Sequence, residues 1–411
     1  MSAPRFPHDD VPAALSRRTL LAAALGSAAS GLLAACGGGG DDPAPAPSGN
    51  PATPSSYTDG VISGFGSVIV GGVRYDDSAA SISTEDGAAL AAGALRLGMT
   101  VEIDGGRIDR LAATALALRI RVNTEVKGPV EAVDTAAGTA TVLGQTVLVT
   151  TSTLFDETLA GGLPALGVGA VVEVDGILDP DGGRIVATRI EAEDSATEYK
   201  LRGRITAVDT TARTFRINGA LISYASLPAA MVPPGLANGQ LVRVRLQTTP
   251  VAGACVATAL RGGRRYPDAI TEAKLEGLVT AFASTTSFSV NGLPVNASAA
   301  SFPDGTAGLQ LGARVEVQGT ITDGVMQAST VEIEERRFPG PREWDLRGEI
   351  ANLDTTAKTF ALRGVTVWYG GSVDYRDGSE ATLANGVRLR VRGPLAADRT
   401  RLEARRIDFR F

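Results

Sequence analysis

The chain has 411 residues, enough for several domains, and its composition favours β structure over long helices. Its 49 glycines and 21 prolines would interrupt helices at short intervals. The net charge of −6 disfavours a general polyanion-binding protein. His8 is the only histidine, and Cys36 and Cys255 are the only cysteines. These counts exclude Ser-His and Cys-His catalytic pairs and zinc sites built from Cys and His in a mature chain that begins at Cys36.

An export leader, or signal peptide, is predicted over residues 1–35. Arg17 and Arg18 precede an Ala/Leu-rich stretch, residues 20–33. This stretch is shorter than the ~20 strongly apolar residues that a membrane-spanning helix needs, so we expect it to be cleaved. The adjacent arginines resemble a twin-arginine export signal, but ordinary secretory leaders also carry such pairs, and both routes stay open.

A lipid anchor is predicted at the end of the leader. Leu33, Ala34 and Ala35 precede Cys36, and this order resembles the lipobox of bacterial lipoproteins. The resemblance implies that the Cys36 thiol is acylated and that Cys36 becomes the first mature residue. Several acyl chains on one residue would anchor the protein permanently. Gly37, rather than Asp, follows the cysteine, which under the usual sorting rule implies transfer to the outer membrane.

The next segment, residues 36–57, is rich in Gly and Pro and is predicted to be a flexible tether.

Beyond it, the sequence repeats. A two-residue turn between apolar strands recurs every 72 to 75 residues, and its glycines are Gly72, Gly144, Gly219, Gly292 and Gly364. Asn-Gly and Gly-Gly at such positions favour a type I′ hairpin, because both central residues need positive φ.

A second repeated feature is a strand in which apolar and charged residues alternate. The apolar pairs are Val101/Ile103, Val172/Val174, Val242/Val244, Val315/Val317 and Leu389/Val391. Alternation of this kind predicts a half-buried strand with one face on a core and the other in water.

A third repeated segment contains an Asp-Thr pair, at Asp134, Asp209 and Asp354. Each Asp is predicted to start a turn by accepting hydrogen bonds from the backbone that follows it.

These repeats predict an all-β chain of five tandem modules, each with five or six short strands in about 70 residues. The module boundaries are 58–122, 123–194, 195–268, 269–338 and 339–411. A closed, OB-like small barrel is the favoured fold for each module because closure removes sheet edges, and a small sandwich is the alternative. We expect separate barrels arranged along the chain. In the first module, residues 84–97 are Ala- and Gly-rich and could form one helical turn or more.

The leader with its lipobox, the opening Gly64-Phe-Gly-Ser-Val68 and the recurring Val-Glu-Val strands resemble a known family. It consists of bacterial envelope lipoproteins built from a repeated domain of unknown function. The resemblance implies a secreted, all-β tandem protein without an assigned activity. It supplies no catalytic residues.

The fifth module differs most from the others and is the predicted binding site. It holds both tryptophans of the chain and a strand of alternating arginines that share one face. The candidate ligand-binding residues are Trp368, Tyr369, Tyr375, Arg388, Arg390 and Arg392. Aromatic rings beside guanidinium groups could stack on sugars or bind phosphates and carboxylates. Alternatively, Trp368 fills the barrel and the arginines form an ordinary solvated face.

Other chemistry-bearing residues are interpreted as structural. Cys255 is expected to be a small buried hydrophobe. Asp179 and Asp181 resemble half of a calcium loop, but turn formation explains them without metal. We therefore expect no catalytic residue, no metal and no cofactor.

The leading functional hypothesis is a non-enzymatic, lipid-anchored protein of the cell envelope, at the outer membrane, with its modules exposed to the periplasm or the exterior. It would act as a β-repeat scaffold or binding protein, with envelope polysaccharide or another envelope protein as partner and no nucleic acid. One alternative is a glycan-processing enzyme that uses paired carboxylates, one of them with a raised pKa. Another is a nucleic-acid-binding protein with OB-like barrels.

Overall fold

A computed structural model describes residues 53–159, 161–179, 183–263, 266–333, 344–396 and 401–410. The predicted leader, the lipobox and Cys36 lie outside the described residues. Strands dominate the described chain, and its helical segments are single 3₁₀ turns. One of these turns, Ala92–Ala94, falls in the Ala-rich segment of the first module. None of the helical segments in the described ranges has the length and hydropathy needed to cross a membrane.

The strands fall into consecutive sets, which we call barrels 1 to 5. Barrel 1 contains β1 (Ser56–Phe65), β2 (Val68–Val70), β3 (Val73–Asp76), β4 (Ser81–Thr84), β5 (Thr100–Gly105) and β6 (Thr114–Asn123). Barrel 2 contains β7 (Val126–Asp134), β8 (Thr139–Val142), β9 (Gln145–Leu148), β10 (Leu154–Phe155), β11 (Val171–Leu178) and β12 (Ile185–Ala192). Barrel 3 contains β13 (Tyr199–Arg204), β14 (Thr206–Asp209), β15 (Thr214–Ile217), β16 (Ala220–Ser223), β17 (Leu241–Leu246) and β18 (Cys255–Gly262).

Two further sets complete the described chain. Barrel 4 contains β19 (Ile270–Ser284), β20 (Ser287–Val290), β21 (Leu293–Asn296), β22 (Arg314–Thr322) and β23 (Val325–Ile333). Barrel 5 contains β24 (Trp344–Asp354), β25 (Thr359–Leu362), β26 (Val365–Trp368), β27 (Asp374–Arg376), β28 (Arg388–Gly393), β29 (Leu402–Glu403) and β30 (Arg406–Asp408).

Each set closes by the same circuit of strand pairs. In barrel 1, β1 pairs with β2 and β2 with β3, both antiparallel. β3 then pairs in parallel with β6, β6 pairs with β5, and β5 returns to β1. The same order occurs in barrel 4 through β19, β20, β21, β23 and β22. A closed five-strand circuit with one parallel pair is the arrangement expected of an OB-like small barrel, and this part of the prediction is confirmed.

Four of the five hairpin turns have the predicted backbone geometry, whereas at Asn218-Gly219 only Asn218 has a positive φ, 46°. Asn291 and Gly292 have φ of 51° and 91°, and Gly71 and Gly72 have φ of 53° and 73°. Both central residues are therefore left-handed, as a type I′ turn requires. Asp354 also behaves as predicted, because its Oδ1 accepts bonds from the amides of Thr356 and Ala357 at 2.8 and 2.9 Å.

The alternating strands send their apolar residues inward as expected. All ten members of the predicted apolar pairs are at most 2 % exposed. These side chains do not make one core for each barrel, however. One apolar cluster combines barrels 1 and 5, a second combines barrels 2 and 3, and a third belongs to barrel 4 with Tyr57 added. The module boundaries therefore stay a prediction.

The barrels are not separate along the chain, in contrast to our expectation. β1 pairs in parallel with β19 through residues 56–59 and with β24 through Gly64 and Phe65. β13 pairs with β7 where Leu201 meets Val126. Hydrogen-bonded strand pairs thus join barrel 1 to barrels 4 and 5, and barrel 2 to barrel 3. Sequence patterns missed these joints because an exposed barrel strand and a paired one have the same alternation.

The outer faces of several strands are also buried, in contrast to the predicted contact with water. Glu102 and Asp104 of β5 are 4 % and 7 % exposed, and Arg121 donates to both carboxylates, at 3.1 and 2.9 Å. Asp175 of β11 is 1 % exposed and Arg202 of β13 is 2 % exposed. Some charged outward residues are therefore paired within their barrel, and Arg202 forms part of the contact between barrels through Glu85 and Glu125.

Candidate arginine groove on the fifth barrel

The aromatic candidates of barrel 5 lie in two different environments. Val367 is fully buried, and Trp368, the next residue in β26, points outward and is partly exposed. The guanidinium carbon of Arg401 lies 5.0 Å from the centre of the Trp368 ring. Gly370 lies against the edge of the same ring, where a Cβ would come within 2.7 Å of it. Trp368 therefore does not fill the barrel, and it stacks with an arginine on the outer face of β25 and β26.

The two tyrosine candidates face the core instead. Tyr369 is 2 % exposed, and its ring packs 5.6 Å from that of Phe360. Tyr375 packs against the same apolar cluster, and burial raises the pKa of its phenol to about 12. The Tyr369 ring is therefore almost closed to solvent and lies apart from the outward-facing Trp368, and its role as a ligand contact stays a prediction.

The arginine candidates belong to a grid of charged side chains on another side of the barrel. Because alternate residues share a face, the outward residues of β24, β28, β30 and β27 meet in rows across the sheet. One row contains Arg347, Arg390, Asp408 and Arg376. The neighbouring row contains Asp345, Arg392, Arg406 and Asp374.

This grid lines a groove of about 440 Å³, which we call the arginine groove. Six arginines and two aspartates form its lining, so cations outnumber anions threefold there. The lining residues are Arg347, Arg376, Asp377, Arg390, Arg392, Arg406, Asp408 and Arg410. Arg388 points outward from the same strand as Arg390 but is not part of the lining.

Two carboxylates hold several of these arginines in place. Arg390 donates to Asp345 through Nε at 2.8 Å and through Nη2 at 2.5 Å, and Arg74 reaches the same carboxylate at 3.5 Å. The bond to Asp345 raises the pKa of Arg390 despite its partial burial. Arg392 and Arg406 share Asp408, at 3.2 and 2.8 Å. Burial opposes ionisation of Asp408, but these two bonds outweigh it, and its pKa is lowered.

The electrostatics around Arg347 are different. Burial lowers the pKa of its guanidinium, and the nearby charges of Arg390, Arg74 and Arg392 lower it further, against a smaller opposing effect of Asp345. Asp374 also pairs with Arg376, at 2.9 Å, so three aspartates pair with four of the six groove arginines. Preorganised guanidinium groups of this kind can bind carboxylate or phosphate oxygens in pairs.

The structure brings together only part of the predicted site. Arg390 and Arg392 line the groove, but Trp368 and the tyrosines do not. Sequence analysis missed Arg347, Arg376, Arg406 and Arg410. Arg347 and Arg406 could have been found by pairing the strands of the repeats and reading the outward residues across them. Arg376 lies in the short strand β27 and Arg410 follows the short strand β30, and the sequence did not indicate the pairing of these strands.

Two other candidates behave as structural residues. Cys255 is partly buried, and burial raises the pKa of its thiol, as does the nearby Glu131. Such a thiol is a poorer nucleophile than an ordinary cysteine. Asp179 accepts a bond from Arg184 at 2.8 Å, whereas Asp181 lies outside the described residues.

The fold and the groove define a protein of closed small barrels with a cationic surface on the last of them. Three segments, residues 127–191, 276–332 and 347–408, match a family described as a domain of unknown function, DUF5666. The chain therefore contains this domain three times, in the regions of barrels 2, 4 and 5. Comparison with curated proteins gave no match.

Proposed function

We propose that this chain is a non-enzymatic, lipid-anchored protein of the bacterial cell envelope that binds an anionic partner in the arginine groove. The observation that carries the proposal is the lining of that groove, six arginines against two aspartates. A groove of about 440 Å³ is within the range of ordinary ligand sites. Envelope polysaccharides and acidic proteins both supply the anionic groups that such a surface would recognise.

The joints between barrels support a scaffold role beside binding. Strand pairs and buried ion pairs connect the barrels, so they would present the groove in a fixed orientation. In this proposal, the lipidated Cys36 holds the barrels at the membrane through the tether of residues 36–57. Preorganisation of the groove lowers the entropy cost of binding.

The buried carboxyls favour binding over carboxylate catalysis. Burial raises the pKa of Asp175 well above its ordinary value, but the residue is only 1 % exposed. Burial also raises the pKa of Glu276, which forms an ion pair with Arg314. Glycan hydrolysis needs two carboxyls on either side of an accessible bond, and neither residue meets that requirement.

The proposal is tested with the purified full-length chain on an array of neutral and anionic glycans and acidic proteins. We expect binding to anionic ligands that weakens with salt. The variant Arg376→Gln/Arg410→Gln removes two exposed charges from the groove, and Arg216→Gln removes an exposed charge from barrel 3 as a control. Equal binding by the double variant and the control would refute the groove as the site. Turnover of a glycan that is lost on changing one carboxylate would refute the non-enzymatic role.

Lipidation needs its own measurement. We expect the mass of the cell-derived protein to show acylation at Cys36 and the variant Cys36→Ser to leave the membrane fraction. An unacylated Cys36 in the wild-type protein would refute the anchor without affecting the groove.

A further inference from the structure

The same outward positions in the different barrels carry different charges. Each barrel has a pair of outward residues, one on its first strand and one on the fourth strand, in chain order, of its five-strand circuit. That fourth strand is β5, β11, β17, β22 or β28, and the residue on it directly precedes a buried residue. These pairs are Asp59/Glu102, Lys127/Glu173, Arg202/Arg243, Glu276/Glu316 and Arg347/Arg390. Arginine occupies both positions only in barrels 3 and 5. The next outward residue of the fourth strand is also arginine in these two barrels, Arg245 and Arg392.

In barrel 3, this arginine pair already holds an anionic group. Arg202 forms an ion pair with Glu85, and Arg243 contacts the same carboxylate at 3.1 Å. Lys200 lies 3.6 Å from the carboxylate of Asp86. Barrel 1 therefore inserts two consecutive acidic residues into the cationic face of barrel 3.

The inserted acidic residues lie on a tight turn. The amide of Thr84 donates to Ala88 O at 2.8 Å, and that of Gly87 donates to Thr84 O at 2.9 Å. Gly87 has φ of +88°, which closes the turn behind the two carboxylates. Arg243 also donates to the backbone oxygen of Glu85 at 3.1 Å, so the cationic face binds a backbone carbonyl of the turn as well as its carboxylates.

We propose that the arginine groove of barrel 5 is a docking site for an acidic turn of a partner protein, held as barrel 3 holds Glu85 and Asp86. This inference rests on the proposed anionic partner and specifies its class. The pair Arg347/Arg390 corresponds to Arg202/Arg243, and Arg392 corresponds to Arg245. The side chains of Arg202 and Arg243 are 2 % and 14 % exposed, and those of Arg390 and Arg392 are 17 % and 32 % exposed. Arg390 and Arg392 line the groove, where an incoming group can contact them.

Barrel 5 differs from barrel 3 in one respect that bears on affinity. Asp345 stands where barrel 3 has Lys200, and it already accepts two bonds from Arg390. Arg392 and Arg406 share Asp408 in the same way, so an incoming carboxylate would compete with Asp345 and Asp408 for these arginines. The seven exposed large apolar side chains of the described residues all belong to other barrels. The surroundings of the groove thus favour a charged peptide over insertion into a membrane surface.

The probe is a cyclised peptide of residues 82–90, which reproduces the acidic turn, titrated calorimetrically into the full-length chain at low ionic strength. The control peptide has Gln and Asn in place of Glu85 and Asp86. We expect the acidic peptide to bind, and Arg347→Gln or Arg392→Gln to weaken it about tenfold or more, because each removes a charge-assisted bond. Arg216→Gln should leave the affinity unchanged, and thermal unfolding of every variant checks that it is folded.

Pyrophosphate and polygalacturonate provide the competing chemistries. If either binds in an Arg347-dependent manner and the acidic peptide does not, the acidic-turn inference is overturned and the proposed anionic groove stands. Equal affinity for both peptides, or unchanged affinity in both arginine variants, also overturns the inference. If no anion binds at all, the inference and the proposed function fail together.

Discussion

Arg202 offers the sharpest test of the joints between barrels. Its side chain is 2 % exposed, and its guanidinium contacts Glu125 of barrel 2 at 2.9 Å and Glu85 of barrel 1. The variant Arg202→Leu removes the charge and leaves the Glu125 side chain, itself 1 % exposed, buried without this partner. Glu85 still forms its ion pair with Arg243 in this variant, at 3.1 Å. Breaking a buried pair in this way costs about 3 to 5 kcal/mol, because an uncompensated charge stays in the interior.

Urea unfolding followed by circular dichroism measures this loss, and hydrogen exchange of residues 82–90 and 123–130 shows where protection falls. Arg245→Leu is the matched control, since its pair with Glu198 is 41 % and 34 % exposed and should contribute less than about 1 kcal/mol. Replacing Arg202 and Glu125 together by leucine should recover most of the stability, because Glu85 still pairs with Arg243. A loss below about 1 kcal/mol in Arg202→Leu, with unchanged exchange, would refute the role of this ion pair.

Three other outcomes are expected. Gly144→Ala should lower the thermal stability of the chain more than Gly386→Ala. Both positions have positive φ, which costs a side chain about 1 to 2 kcal/mol. At Gly144 the new Cβ would also lie 2.6 Å from the amide nitrogen of Ala220. Equal losses would contradict that close approach. Burial, and then Glu173 and Glu191, raise the pKa of Asp175 well above 3.8, so the folded chain holds this proton more tightly than the unfolded chain. Wild-type stability should therefore fall as pH rises from about 4 towards the folded pKa, and the advantage of Asp175→Asn should grow across that window; parallel melting profiles would contradict this. Acrylamide should quench the fluorescence of Trp368 more than that of Trp344, which is 2 % exposed. The variant Trp368→Phe should therefore lose most of the fluorescence quenching. Strong quenching that survives in this variant would place Trp344 at the surface.

Much of the fold follows from local sequence patterns. Asn291-Gly292 fixes a left-handed two-residue turn, and the alternation around Val315 and Val317 determines which side of the strand faces a core. Both signals act over a few residues and need no knowledge of distant contacts. The joints could not be predicted in the same way. Arg202 has the sequence environment of a solvated strand residue, and the approach of Glu85 from barrel 1 and Glu125 from barrel 2 buries it.

The binding site was predictable only in part for a related reason. Alternation along β28 correctly places Arg390 and Arg392 on one face. It does not indicate which side chains of other strands join them. Trp368 lies on β26, whose outward face points away from the groove. The closeness of Trp368 to the arginine strand in sequence therefore does not bring the two together in the fold. Arg347 enters the groove through the register of β24 with β28, a contact between residues far apart in the chain.

The charges on the outward positions explain how repeats with similar cores can differ in role. Acidic residues at these positions in barrels 1 and 4 are neutralised within their own barrel, as Glu102 is by Arg121 and Glu276 by Arg314. In barrel 3, Arg202 and Arg243 are neutralised by Glu85 of barrel 1 and become part of a joint. A cationic outer face is therefore a docking surface wherever a neighbouring segment supplies carboxylates. Under the proposal, barrel 5 takes carboxylates from another molecule beside its own Asp345, Asp374 and Asp408, because six arginines line its groove.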